Sequence, residues 1–124
     1  MTLIRLADAR RTETPSAVMT TLASPSQGGA TRALWRVEMQ PGSQGPAHVI
    51  DAEQIWTILA GEAAVEQDGE QLSLAEGDTL ILPAGSTRQV TAGPGGFTAI
   101  VTAPAGAQAG TPGSPDRVVP PWLA

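Results

Sequence analysis

The chain has no cysteine, no lysine and a single histidine in 124 residues. Without cysteine there is no disulfide, no thiolate zinc site and no cysteine nucleophile. All seven basic residues are arginines, scattered singly apart from the pair Arg10-Arg11, and the net charge is −5. A nucleic-acid surface needs a clustered basic face, so no nucleic-acid partner is expected. No apolar run reaches the length that spans a bilayer, so no membrane partner is expected either. The opening residues MTLIRLADARR place charges inside a short apolar patch, which does not fit a secretion signal and leaves the cytoplasm as the expected location. Long helical patterns are also missing, because 14 glycines and 11 prolines interrupt the chain throughout.

What is present is a series of short apolar runs bounded by turn residues, the pattern of an all-β domain. Leu3–Leu6 is expected as a first edge strand, Arg10–Pro15 as a polar turn, and Ala17–Leu22 as the next strand. In Thr31–Gln40 the residues Trp35, Val37 and Met39 share one face, with Arg36 and Glu38 on the other. Further strands are expected at Gln54–Leu59, Glu62–Gln67 and Gln71–Leu74, with a hairpin turn at Asp68-Gly69. Thr79–Leu82 reads as a buried strand, and Thr87–Thr91 and Phe97–Thr102 as two strands separated by the turn-rich AGPGG. One domain fits the length. From residue 105 the composition becomes rich in Gly and Pro, giving an extended tail over 105–124 that ends in the apolar VVPPWLA. Such an ending is expected to dock, on its own domain or on a neighbouring subunit.

Two segments are more specific. Gly42, five residues, His48, then Ile50, Gln54 and, six residues further, Gly61 follow one frame. Gly77, five residues, Pro83-Ala84-Gly85, then Arg88 and Ala92 follow a second, containing EGDTLILPAG. These frames resemble the two motifs of the cupin family. The resemblance implies an all-β, single-domain jelly-roll barrel (a double-stranded β-helix) over residues 1–104, and a homodimer, for which the outward Ile55 and Leu59 and the VVPPWLA ending offer apolar surface. In that family a metal is held by two motif-one histidines, a glutamate and a motif-two histidine. Here only His48 is kept; the other three positions hold Ile50, Gln54 and Arg88. Isoleucine has no donor atom, and arginine is a permanent cation that repels a divalent ion. His48 and Gln54 fall short of the three or four ligands a transition metal takes. Recruiting Glu53 requires a one-residue slip that turns its side chain to the opposite face. No cofactor is therefore expected.

The resemblance turns His48, Ile50, Gln54 and Trp56 toward the lumen, with Trp35 and Met39 completing an apolar wall, and this suits a small organic ligand. His48 then reads as a proton carrier or as a hydrogen-bonded inner histidine. Arg88 reads as a clamp for a carboxylate, phenolate or enolate, as half of an internal ion pair with Glu53 or another carboxylate, or as a side chain that escapes to the rim. Gln54 and Trp56 read as ligand contacts or as satisfied core. Three functions follow: metal-independent proton transfer (isomerase, cyclase or lyase type) on an aromatic or polyketide-like ligand; a non-catalytic ligand-binding or sensor protein; and a metal-dependent oxygenase with a non-standard site.

Overall fold

A computed structural model describes all 124 residues. The strands are β1 (Arg10–Glu13), β2 (Val18–Ala23), β3 (Arg32–Met39), β4 (His48–Ile50), β5 (Gln54–Gln67), β6 (Glu70–Leu74), β7 (Thr79–Leu82), β8 (Thr87–Pro104) and β9 (Ala109–Gly110). They form one antiparallel sheet in the order β1-β2-β3-β8-β4-β9, while β5 pairs with β6, β7 and β8. The sheet curls into a half-open jelly-roll barrel whose inner face carries the core. The one helical element is a single 3₁₀ turn at Leu6–Asp8, and no helix is long and apolar enough to cross a membrane.

Alternation places the core as expected in β3, where Ala33, Trp35, Val37 and Met39 are buried and Arg36 pairs with Glu38 on the outer face at 3.0 Å. In β5 the buried residues are Gln54, Trp56 and Ile58, then Ala63 and Val65. The inward parity switches from even to odd numbers, which requires an irregularity, and the pairing of β5 with β8 shifts at Ile58/Ala60 and again at Gly61/Ala63. In β8 the switch recurs: Arg88, Val90 and Ala92 face inward, then Phe97, Ala99, Val101 and Ala103. AGPGG is therefore a bend inside one continuous strand, and Thr87–Thr91 and Phe97–Thr102 belong to the same β8. The sequence suggested two strands because Gly and Pro break propensity, but here they only break parity.

Gly61 adopts φ of 79° and lies against the Gly96 backbone so closely that a Cβ would overlap the Gly96 carbonyl. Both long strands thus bend at a shared contact. The Asp68-Gly69 hairpin forms as expected, with φ of 48° and 84° joining β5 to β6 through the Gln67–Glu70 pair.

Three expectations need correction. Leu3 and Leu6 are exposed, at 69% and 67%, and no strand forms there. The first strand is instead the polar Arg10–Glu13, held by backbone pairing to β2, with Arg11 and Glu13 paired outward at 2.8 Å; charged side chains suit an edge strand. In β7 only Leu82 is buried, while Ile81 is 56% exposed, because β7 pairs with β5 alone and its outer face is uncovered.

Replacing Gly61 with Ala should lower stability by about 3 kcal/mol or more, from backbone strain and the overlap with Gly96. Urea unfolding measures this, and a loss below about 1 kcal/mol would contradict the shared-bend account.

Candidate functional site

The two motif segments meet inside the barrel. In the β4–β8 register His48 lies opposite Arg88, and the turn that follows β7 brings Pro83 and Ser86 to the same place. The Gly85 amide donates to the Ile50 carbonyl at 2.8 Å, tying this turn to β4.

Arg88 is 1% exposed. Its Nε donates to the Ser86 carbonyl at 3.2 Å, Nη1 to Gln54 Oε1 at 3.2 Å, and Nη2 to the Pro83 carbonyl at 3.2 Å and Ser86 Oγ at 2.9 Å. Gln54 Oε1 also accepts the Trp56 indole N–H at 3.1 Å. Trp56, Gln54, Arg88 and Ser86 thus form one buried network in which every acceptor toward the guanidinium is neutral. The chain's two ion pairs, Arg11–Glu13 and Arg36–Glu38, lie elsewhere. Burial lowers the Arg88 pKa to about 10, with the charge of Asp68 opposing the shift, so the side chain stays cationic at neutral pH. Asp68 is fixed at the hairpin tip, where its Oδ1 accepts the Thr87 amide at 2.9 Å.

His48 is half-buried, and its Nδ1 lies 2.9 Å from the Pro46 carbonyl. A carbonyl only accepts, so Nδ1 carries the proton of the neutral ring and Nε2 is left with its lone pair. Burial pushes the His48 pKa below its ordinary value; the Pro46 bond opposes this and the charge of Arg88 adds to it. The ring is therefore a neutral acceptor at pH 7.

Not every expected residue joins this group. Ile50 is 3% exposed and packs in the core. Glu53 is exposed on the loop before β5, so the slip that would recruit it does not occur, and it makes no ion pair with Arg88. Trp35 and Met39, at 2% and 7% exposure, are core residues, and Val101 separates Trp35 from Trp56 across the sheet. Trp56 packs on Phe97, with ring centroids 6.4 Å apart. The cleft that touches Arg88 is lined by Ala47, Glu66, Asp68, Gly69, Thr87 and Gln89 and has a volume of about 70 Å³, room for a few waters. A larger depression of about 200 Å³ lies at the Gly61–Gly96 bend and includes Met39 and Phe97, away from His48, Gln54 and Arg88. Sequence reading missed Ser86 and Asp68. The sign for Ser86 was its place directly after the Pro83–Gly85 turn, while Asp68 reads only as a turn residue.

The donor chemistry does not fit a metal. Gln54 Oε1 is already shared by two N–H groups, Arg88 occupies the fourth motif position as a cation, and no group of three or more His, Asp or Glu side chains is placed to hold an ion.

A family profile described as a cupin domain matches residues 35–101. No curated protein sequence gives a match. Among solved structures, oxalate decarboxylase from Bacillus subtilis at pH 4.6 is similar with a TM-score of 0.73 at 15% identity, over 83% of this chain and 28% of that one. An oxalate decarboxylase structure on substrate binding mode and a reaction specificity switch gives a TM-score of 0.75 at 15% identity, over 83% and 29%. The chain spans less than a third of the length of these neighbours, and at this identity the likeness is one of fold.

Because the native pKa of His48 is lowered, the unfolded chain binds its proton more readily. Stability should therefore rise with pH through the window from that lowered value up to about 6.5 and be level above it. NMR titration of the single imidazole should give a midpoint below 6.5, and His48→Gln should remove this part of the pH dependence.

Proposed function

The chain belongs to the cupin domain family, and on that premise we propose that it is a metal-independent member that binds a small organic anion beside Arg88 and moves a proton with His48. The observation that carries this reading is the buried Arg88 guanidinium, whose hydrogen bonds all go to neutral oxygens, with Asp68 acting on it only through its charge and not by direct pairing. A buried cation with no carboxylate in hydrogen-bond contact favours an incoming carboxylate, phenolate or enolate, whose charge it would stabilise at short range. His48 on the facing strand supplies a neutral Nε2 as base, and proton removal next to a carbonyl held by Arg88 gives isomerase, cyclase or lyase chemistry. Gln54 and Ser86 fix the plane of the guanidinium. The Trp56 indole is committed to Gln54, so charge rather than an aromatic or polyketide-like shape is the feature that selects the ligand.

A second reading, a non-catalytic ligand-binding or sensor protein, is favoured by the completeness of the Trp56–Gln54–Arg88–Ser86 network and by the absence of a second acid–base group in it. The metal-dependent oxygenase reading has no support in the donor set.

The protein should be incubated in D₂O with a panel of small carboxylic acids and enolisable keto acids, and carbon-bound deuterium followed by NMR. His48→Ala should lower the exchange rate by about 10²-fold or more with the melting temperature retained. An unchanged rate in this variant would overturn the catalytic reading, and thermal stabilisation by a panel member with no exchange would select the second one. A stoichiometric metal in purified protein, lost in His48→Ala, would overturn metal independence.

We also propose a homodimer through the outer face of β3, β8, β5 and β7. Leu34, Leu59 and Ile81 are exposed there at 36%, 47% and 56%, and Leu34, Thr102, Ile55 and Ile81 form one row across the four strands. Of the three charges on the β3 part of this face, Arg36 and Glu38 neutralise each other and Arg32 is left over, so this face lacks the excess of acidic groups that would make two acidic chains repel. Light scattering should give twice the chain mass, and Ile81→Glu should give the monomer.

A further inference from the structure

Strand β4, which carries His48, has little holding it in the sheet. It pairs with β8 through His48–Arg88 and Val49–Thr87, and its other edge is covered only by β9, through Val49–Gly110 and Ile50–Ala109. The segment that supplies β9 is fastened at several further points. Next to β4, the Asp51 amide donates to the Gln108 carbonyl at 3.0 Å and the Gln108 amide to Asp51 Oδ1 at 2.7 Å. The chain then turns through the exposed 111–113 and 115–117 and returns, Val118 bridging back to Ala109. It ends with Leu123 fully buried in the core. Thr21 Oγ1 donates to the Trp122 carbonyl at 2.8 Å, and the Ala124 oxygen accepts from Arg10 Nη2, Ser24 Oγ and Ser26 Oγ at 2.9, 2.6 and 2.6 Å.

We infer that residues 105–124 are a strap that gates the His48–Arg88 site: fastened at β1–β2 it holds β4 down, and released it leaves β4 a three-residue free edge that frays and opens the way to Arg88. The existing cleft at Arg88 opens beside the Asp68–Gly69 hairpin, has no lining residue from β4 or from 105–124, and at about 70 Å³ is too small for an organic ligand. A wider way to Arg88 past His48 therefore needs β4 to move. Local opening with a low free energy is the ordinary way that buried sites admit ligands. The fastening is apolar and polar together. Leu123, fully buried, supplies the apolar anchor, and the clasp on Ala124 places the segment. The hinge is the loop 111–117, which has exposed residues on both sides of Ser114 and two prolines that limit its shapes. The identity of the gated site rests on the function proposed above, whereas the gating itself does not.

The test uses the single histidine. Diethyl pyrocarbonate acylates a neutral imidazole nitrogen, and its rate on the His48 peptide is read by mass spectrometry at pH 7. The amide of Gly85, which donates to Ile50 in β4 and not to the strap, is read by hydrogen exchange. Leu123→Ala, which removes the apolar anchor, and Asp51→Ala, which removes an exposed acceptor for Gln108, should each speed both readouts, by about tenfold for Leu123→Ala. The amides of Val65 and Val101 in the sheet centre should keep their rates. Unchanged His48 and Gly85 rates in the folded variants would overturn the gate, and so would uniform acceleration of all amides, which makes the segment part of the global core. If Leu123→Ala fails to fold, Asp51→Ala decides alone. Neither readout involves a ligand, so failure of the gate and failure of the proposed reaction are distinguishable.

Discussion

The close approach of Gly61 to Gly96 governs the shape of the whole molecule. A flat antiparallel pair keeps one parity inward along its length, and a pair as long as β5 and β8 would run off the end of a small core. Here the backbones touch where neither residue has a side chain, both strands bend, and the inward parity changes in each. One half of the pair then lies beside β3, and the other half between β4 and β6. The barrel curl follows from that one contact, and with it the position of Arg88, which lies on the inward parity of the first half of β8, the half that pairs with β5 beyond its bend. Had the switch been absent, β5 beyond its bend would present Glu66 to the core in place of Val65, and its partner on β8 would be Gln89 in place of Val90.

Given that geometry, a buried arginine needs neutral oxygen acceptors or a carboxylate. The turn Pro83–Ser86 provides the former: two carbonyls and a hydroxyl, arranged by the Gly85 turn and joined by the Gln54 amide. Hydrogen bonds to a charged donor are worth about 1.5–3 kcal/mol each, so four of them can offset much of the desolvation while leaving the charge itself uncancelled. This separates two kinds of satisfaction. The guanidinium is satisfied as a hydrogen-bond donor and only partly balanced as a charge, by Asp68 beyond direct contact, and it is the second on which the proposed anion binding rests.

The sequence revealed more of the frame than of its contents. The glycines at 42, 61, 77 and 85 and the two motif frames carry the fold because they stand where the backbone must turn or touch, and spacing is visible in a one-dimensional string. Alternation placed Trp35, Val37 and Met39 correctly for the same reason. The errors came where tertiary pairing overrides local preference: RRTE forms β1 although it reads as a turn, because β2 offers it a complete ladder, and AGPGG continues a strand although it reads as a break. At the site, sequence brought His48, Gln54 and Arg88 to one lumen, which the cross-strand register and the Gln54–Arg88 bond agree with. It could not show that the lumen is filled by its own side chains, nor that Ser86 closes the network, since both depend on how tightly the curl is drawn.

Position in the sheet also explains why His48 sits where it does. Residues in the middle of β5 and β8 have neighbours on both sides and can move only if the core opens. His48 is on a three-residue strand between β8 and the returning segment, so it can be made accessible at the cost of a few backbone bonds. Under the proposed function, a polar group that meets a ligand is better placed on such a lightly held strand, and a charge that stays fixed is better placed on a central one. The chain divides the two in this way: Arg88 is on β8, paired on both sides, and His48 is on β4, the strand that can let go.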